Sequence, residues 1–340
     1  MSPETKHLRA RLAALPAPAL PPTPAIEHGI AASLAYLGSD ATLRSLEVDP
    51  YWPKWDSPWW HMLVLHELGE ASRIPASAVS AMVAALERFP LHRFPIQPAD
   101  FPPGIDRSRD ILCHCALGSM YQVLAACGVE VDHALPWIVP WLERYQMADG
   151  GLNCDEEAYL ETHECPSSMV GTIAPFEAML VRGQPHAFLD RGARFLIERT
   201  LSQGSSTVQN AAERARAPSW RQPCFPRFYY YDVLRGLAAL VRWATWSGQP
   251  LPRVAIAGVV DHLAEHFPDG VVRVERRAYE GLTTVLPGPQ RAPSLRGPTS
   301  SFALLDATSV IGAPSAALTR QWTAARQTLL ALIDAGQLDG

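Results

Sequence analysis

Long apolar runs, a surplus of positive charge and sustained strand alternation are all missing from this 340-residue chain. No stretch reaches the roughly 20 consecutive apolar residues that a bilayer-spanning helix requires, so no transmembrane segment is expected. Met1-Ser2-Pro3-Glu4-Thr5-Lys6 leads into no apolar block of the kind a secretion signal carries, which makes the cytoplasm the expected compartment. The formal net charge is -5, so there is no basic footprint and nucleic acid is not an expected partner. Six cysteines are too few for a disulfide scaffold at this length and are expected to be reduced thiols. Alternation is confined to Val271-Val272-Arg273-Val274, which removes sheet as an organising element.

What the chain does have is helical periodicity and internal repetition. Gln146-Met-Ala-Asp149-Gly150-Gly151-Leu152-Asn-Cys154 closes a helical stretch and runs into Ala158-Tyr159. Phe267-Pro-Asp269-Gly270-Val-Val272 does the same 120 residues later and runs into Ala278-Tyr279. A second repetition is coarser. Gly69, Gly128, Gly183, Gly248 and Gly312 stand 59, 55, 65 and 64 residues apart. Each follows an apolar helix (59–68, 109–127, 167–182, 229–246, 299–311) and is the expected left-handed cap of it. Each also precedes an amphipathic helix (76–88, 133–145, 186–202, 253–266, 316–335). A helix at 26–37 would complete a sixth hairpin by closing onto the last segments. Buried helices alternating with amphipathic ones at a period near 60 predict an all-α fold of two concentric rings, an α/α toroid. An open α-solenoid shares the logic, but its repeats are usually shorter. The domain is expected to span 26–340. Residues 1–25, with prolines at 16, 18, 21, 22 and 24, are expected to form an extended or disordered arm.

Gln146-x-x-Asp149-Gly150-Gly151 resembles the repeat of the terpenoid cyclase and protein prenyltransferase superfamily, although Leu152 stands where that repeat usually has an aromatic. The resemblance implies an α/α toroid and a small-molecule enzyme acting on an isoprenoid-like or otherwise apolar substrate in a central cavity. In prenyltransferases an Asp-x-Cys pair before an inner helix binds zinc, and the next inner helix adds a histidine. Here His163-x-Cys165 stands at the first place and Tyr229 at the second, so the implied ligand set lacks its third member. Cys113 and Cys115 point about 200° apart on a helix and cannot chelate one ion together. The expectation is therefore no cofactor, with zinc at His163 and Cys165 as the alternative. The link carries Asp155, Glu156, Glu157, Glu161 and Glu164, which would repel a diphosphate, though Arg221, Arg227 and Arg235 could offset it. The cyclase Asp-x-Asp-Asp motif is absent.

Registration of the repeats points to candidate site residues. Six residues before the hinge glycines stand Leu63, Gln122, Glu177, Arg242 and Asp306. Four polar residues on otherwise apolar helices are expected to share one level, either as a structural layer or as a ligand-binding floor, with Glu177 paired to Arg242. Asp232 and Arg235, three apart, are expected to pair on one helix. Tyr51-Trp52-Pro-Lys-Trp55-Asp-Ser-Pro-Trp59-Trp60-His61 and Phe225-Pro-Arg-Phe228-Tyr-Tyr230-Tyr231 supply aromatic faces of the kind that stabilise cations. The candidates are thus Asp232 and Glu177 for catalysis, and Trp59, Tyr230, Arg242, Gln122 and Asp306 for substrate contact. Two other functions fit the same pattern: a non-catalytic toroid that binds a ligand or protein partner, and a carbohydrate-active toroid.

Overall fold

The computed structural model describes residues 2–88, 114–155, 158–159, 163–184, 186–277, 279, 281, 283–288 and 295–339, and these are mostly helical. Cys113, Glu156, Glu157, Glu161 and Ala278 lie outside the described residues. The first helices are α1 (Pro3–Ala14), α2 (Pro24–Leu37), α3 (Asp40–Val48), α4 (Pro58–Leu68) and α5 (Ala76–Arg88). The middle of the chain forms α6 (His114–Ala126), α7 (Val131–Ala134), α8 (Ile138–Arg144), α9 (Met169–Arg182), α10 (Ala187–Glu198) and α11 (Ala211–Arg216). The remainder forms α12 (Val233–Ser247), α13 (Arg253–His266), α14 (Ala303–Thr308) and α15 (Ala316–Asp334). Strands are marginal: β1 (Leu251–Pro252) pairs in parallel with β4 (Leu338–Asp339), and β2 (Thr283–Leu286) pairs antiparallel with β3 (Leu295–Pro298). The alternating stretch at 271–274 makes only an isolated bridge, from Arg273 to Pro314. Among the described residues no helix is long and apolar enough to cross a membrane.

The hinges fold as their residues dictate. All five hinge glycines have positive φ, from +67° at Gly183 to +88° at Gly69, which costs a side-chain-free residue little. The two Asp-Gly turns share one hydrogen-bond pattern. The Gly150 amide donates to the Met147 carbonyl oxygen and the Gly270 amide to that of Phe267, each at 2.9 Å. The Asp149 carboxylate accepts from Gly151 at 3.1 Å, and Asp269 accepts from Val271 at 3.0 Å. The first turn is also anchored from outside. Gln146 Nε2 donates to the Phe188 carbonyl oxygen on α10, and Arg199 reaches Asp149 at 3.2 Å. The repeated motif therefore fixes a turn against a neighbouring helix.

The core runs through successive neighbours. α4 packs on α6, α6 on α9, α9 on α12, and α12 on α15. From α15, Arg320 donates to the Leu68 carbonyl oxygen at the end of α4, at 2.9 Å. The closest of these contacts is α6 against α9. A Cβ on Gly118 would stand 2.3 Å from the Pro175 nitrogen, so only glycine lets the two backbones meet there. Pro175 sits inside α9 and brings no N–H to that contact.

Two expectations need correcting. The N-terminal stretch is not extended throughout. Its prolines cluster after residue 15, and Ser2 caps α1, whose helix is free to form and dock on α13 and α15. Arg326 donates to the carbonyl oxygens of Leu15 and Pro16 at 2.8 and 2.7 Å, and Arg9 pairs with Asp334. In the last hairpin the two helices exchange roles. α14 is only six residues long and packs mainly on α2, the helix expected to close onto the last segments, while the 19-residue α15 packs on α12 and lines the cavity described below.

Candidate functional site

A cavity of about 220 Å³ lies where α4, α6, α9, α12 and α15 converge, closed on one side by the loop that carries Phe225 and Phe228. Its lining is polar. Leu63, Gln122 and Glu177 meet there, so the six-before-glycine registration holds for the first three repeats.

It fails for the last two. Arg242 is exposed on α12, and its guanidinium reaches the Leu180 carbonyl oxygen at 3.4 Å, so it does not pair with Glu177. Arg235, seven residues earlier on the same face, takes that place, with Nη2 2.6 Å from Glu177 Oε2. Asp306 is exposed on α14 and accepts from Ser301, away from the cavity. Asp232 was expected to pair with Arg235; instead it caps α12, accepting from the Arg235 backbone amide at 2.9 Å. Its ion-pair partner is Arg227, Nε to Oδ2, at 2.6 Å. Burial opposes ionisation of Asp232, but the Arg227 charge and hydrogen bonds outweigh it and hold the carboxyl below the usual aspartate range. With no surface exposed, Asp232 supports the cavity wall rather than meeting a ligand.

The aromatic candidates also lie off the cavity. Trp59 is fully buried against Tyr51, and Tyr230 stacks on Tyr229 at 4.7 Å. The aromatic faces do surround a cation, but it is the chain's own. The Lys54 ammonium stands between 5.1 and 5.8 Å from the rings of Tyr51, Trp52, Trp55, Trp60 and Tyr229. Its Nζ also lies 2.9 Å from the Tyr229 hydroxyl. His163 is exposed and Cys165 half-buried. Among the described residues no group of three or more His, Cys, Asp or Glu side chains is placed to hold a metal.

Two residues that registration passed over shape the site. Glu67, at the end of α4, accepts from the backbone amides of Arg227 at 2.8 Å and Phe228 at 2.6 Å. That grip holds Phe228 at φ +54°, a conformation disfavoured for a bulky residue. Burial pushes the Glu67 carboxyl above the usual glutamate range, against the pull of those amides and the two arginines. His66 lines the cavity, and its imidazole has no hydrogen-bond partner among the described residues. Burial is the main cause that lowers its pKa, helped by Arg235 and opposed by Glu177, so the imidazole is neutral at pH 7. The available signal was composition: a His-Glu pair closing an otherwise apolar helix.

The charged groups are matched internally, and what remains is neutral. Gln122 Nε2 is committed to the carbonyl oxygens of Gly118 and Ala174 at 3.1 Å each and to Glu177 at 3.4 Å. This orients its Oε1 as the free end. Gln321 Oε1 accepts from Arg227 at 2.5 Å, which leaves its Nε2 as a donor. Neutral His66 adds one donor and one acceptor. No family model, no curated protein and no solved structure matches this chain.

Proposed function

We propose that the chain is an α/α toroid whose central cavity binds a compact, neutral, polar small molecule bearing hydroxyl or amide groups. The observation that carries this is the set of uncommitted polar ends: Gln122 Oε1 as acceptor, Gln321 Nε2 as donor and the His66 imidazole as both. Arg227 and Arg235 are engaged by Asp232 and Glu177, so an anionic ligand such as a diphosphate finds no uncompensated cation. The succession of neighbours α4–α6–α9–α12–α15, with Arg320 of α15 bonded to the last carbonyl of α4, supports closure over an open solenoid. If the site is catalytic, neutral His66 is the group suited to take a proton from the bound molecule.

Native mass spectrometry of ligand co-purified with the full chain tests this reading. The expected finding is a neutral polar compound, with His66→Ala and Gln321→Ala each weakening its binding roughly tenfold through loss of a buried hydrogen bond. An isoprenoid or other lipid would overturn it. That second reading, the apolar substrate of a terpenoid cyclase-like enzyme, is favoured by one observation. A neighbouring apolar cavity of about 110 Å³, lined by Ile26, Ile30 and Leu68, shares Phe225 and Ala317 with the polar one.

A further inference from the structure

We propose that Cys115 and Cys154 form a dithiol site that oxidises reversibly to a disulfide by exchange with a small-molecule disulfide. The two Sγ atoms are 3.0 Å apart, and neither cysteine is in a disulfide. They are 39 residues apart in sequence, one in the first turn of α6 and the other in the link after the repeated Asp149-Gly150-Gly151 turn. Bond formation requires the sulfurs to close to about 2.05 Å, a movement of roughly 1 Å that side-chain torsions can absorb.

The two cysteines differ in the way such a site requires. Cys154 is half-buried, and the Cys115 backbone amide points at its Sγ from 3.5 Å, a donor that favours the thiolate. Cys115 is 1% exposed. Cys154 is therefore the attacking sulfur and Cys115 the resolving one. The Cys154 thiolate attacks one sulfur of the external disulfide, forming a mixed disulfide and expelling the first thiolate. Cys115, deprotonated, then attacks Cys154 Sγ and expels the second. Two electrons pass to the external disulfide, which is reduced to two thiols, and the two protons leave the protein thiols for those products.

The cross-link would bear on the cavity. Cys115, Ser119 and Gln122 follow one face of α6 at intervals of four and three residues. Ser119 Oγ donates to the Cys115 carbonyl oxygen at 2.8 Å, and Gln122 is a polar end of the proposed binding site. Tying the start of α6 to the link would clamp the helix that presents that residue.

The test uses the full reduced chain titrated with oxidised glutathione, then alkylation and peptide mapping by mass spectrometry. The expected result is loss of two alkylatable thiols, a linked Cys115–Cys154 peptide, and full recovery with dithiothreitol. Cys115→Ser should instead accumulate a glutathione adduct on Cys154, because the resolving sulfur is gone. Failure to form the link, pairing of Cys154 with another cysteine, or a bound zinc ion that protects both thiols would overturn the proposal. None of these readouts depends on the cavity ligand.

Discussion

Glu177 and Arg235 show how much rests on one carboxylate. Arg235 is 7% exposed at its side chain, and its guanidinium donates to both Glu177 oxygens and to the carbonyl oxygens of Phe228 and Tyr230. Burial opposes its charge, and Glu177 more than offsets that, raising the arginine pKa. Removing one partner of such a pair leaves an uncompensated buried charge, which costs about 3–5 kcal/mol. Glu177→Ala should lower unfolding stability by that amount in urea titrations. Arg242→Ala, at an exposed position, should change it by less than about 0.5 kcal/mol. The reverse ranking would restore the Glu177–Arg242 pairing read from sequence. Glu177 and Gln122 were legible because a polar residue on an apolar helix must be matched, and the hinge glycines gave a common origin for counting. Arg235 was not, because counting assumes that successive helices cross the cavity at equal height. Glu177 lies in the middle of α9, whereas Arg235 lies in the first turn of α12, two turns before the counted position. Glu67 escaped because its partners are backbone amides of a distant loop, which no side-chain pattern announces.

At the scale of elements, the α6–α9 crossing depends on a residue with no side chain. A Cβ at Gly118 would stand 2.4 Å from the Ala174 carbonyl carbon as well as against Pro175. Both obstacles are backbone, so no side-chain rotation relieves the clash, and the helices must separate. Gly118→Ala should therefore destabilise the fold by roughly 1–3 kcal/mol despite its gain in helix propensity. A neutral or stabilising result in thermal unfolding would mean that the two helices are not held this close. The crossing also places Gln122 against the Ala174 carbonyl oxygen, so the substitution should weaken ligand binding along with stability. Helix boundaries and hinges were readable because periodicity and left-handed caps are local. The exchange between α14 and α15 was not, because which helix of a hairpin faces inward depends on lengths and partners elsewhere. A six-residue helix cannot span the core that the 19-residue α15 fills with Leu318, Trp322, Leu329 and Ile333.

For the whole molecule, the buried titratable groups combine into a pH dependence with a definite sign. His61 and His66 both have lowered pKa values, chiefly through burial, with Asp56 opposing the shift at His61 and Glu177 at His66. The unfolded chain therefore takes up protons first as pH falls through about 6.5, and the stability these neutral imidazoles contribute, complete above that pH, is lost progressively below it. Glu67 acts in the opposite direction. Its raised pKa means that the folded state binds the proton first, so its ionisation costs stability as pH rises from about 4.5 to its folded value. Asp232, held low by Arg227, loses its contribution only as pH falls below about 3.8. Between about pH 7.5 and about pH 5.5 each of the two histidines adds a slope of at most about 1.4 kcal/mol per pH unit, with Glu67 acting against it. The urea midpoint should fall across that window, and His66→Gln, which keeps a polar group but removes the titration, should flatten the fall. An unchanged slope in that variant would show that His66 is not held neutral by the cavity. The role proposed for it as a neutral donor, acceptor and proton-accepting group would then fail with it.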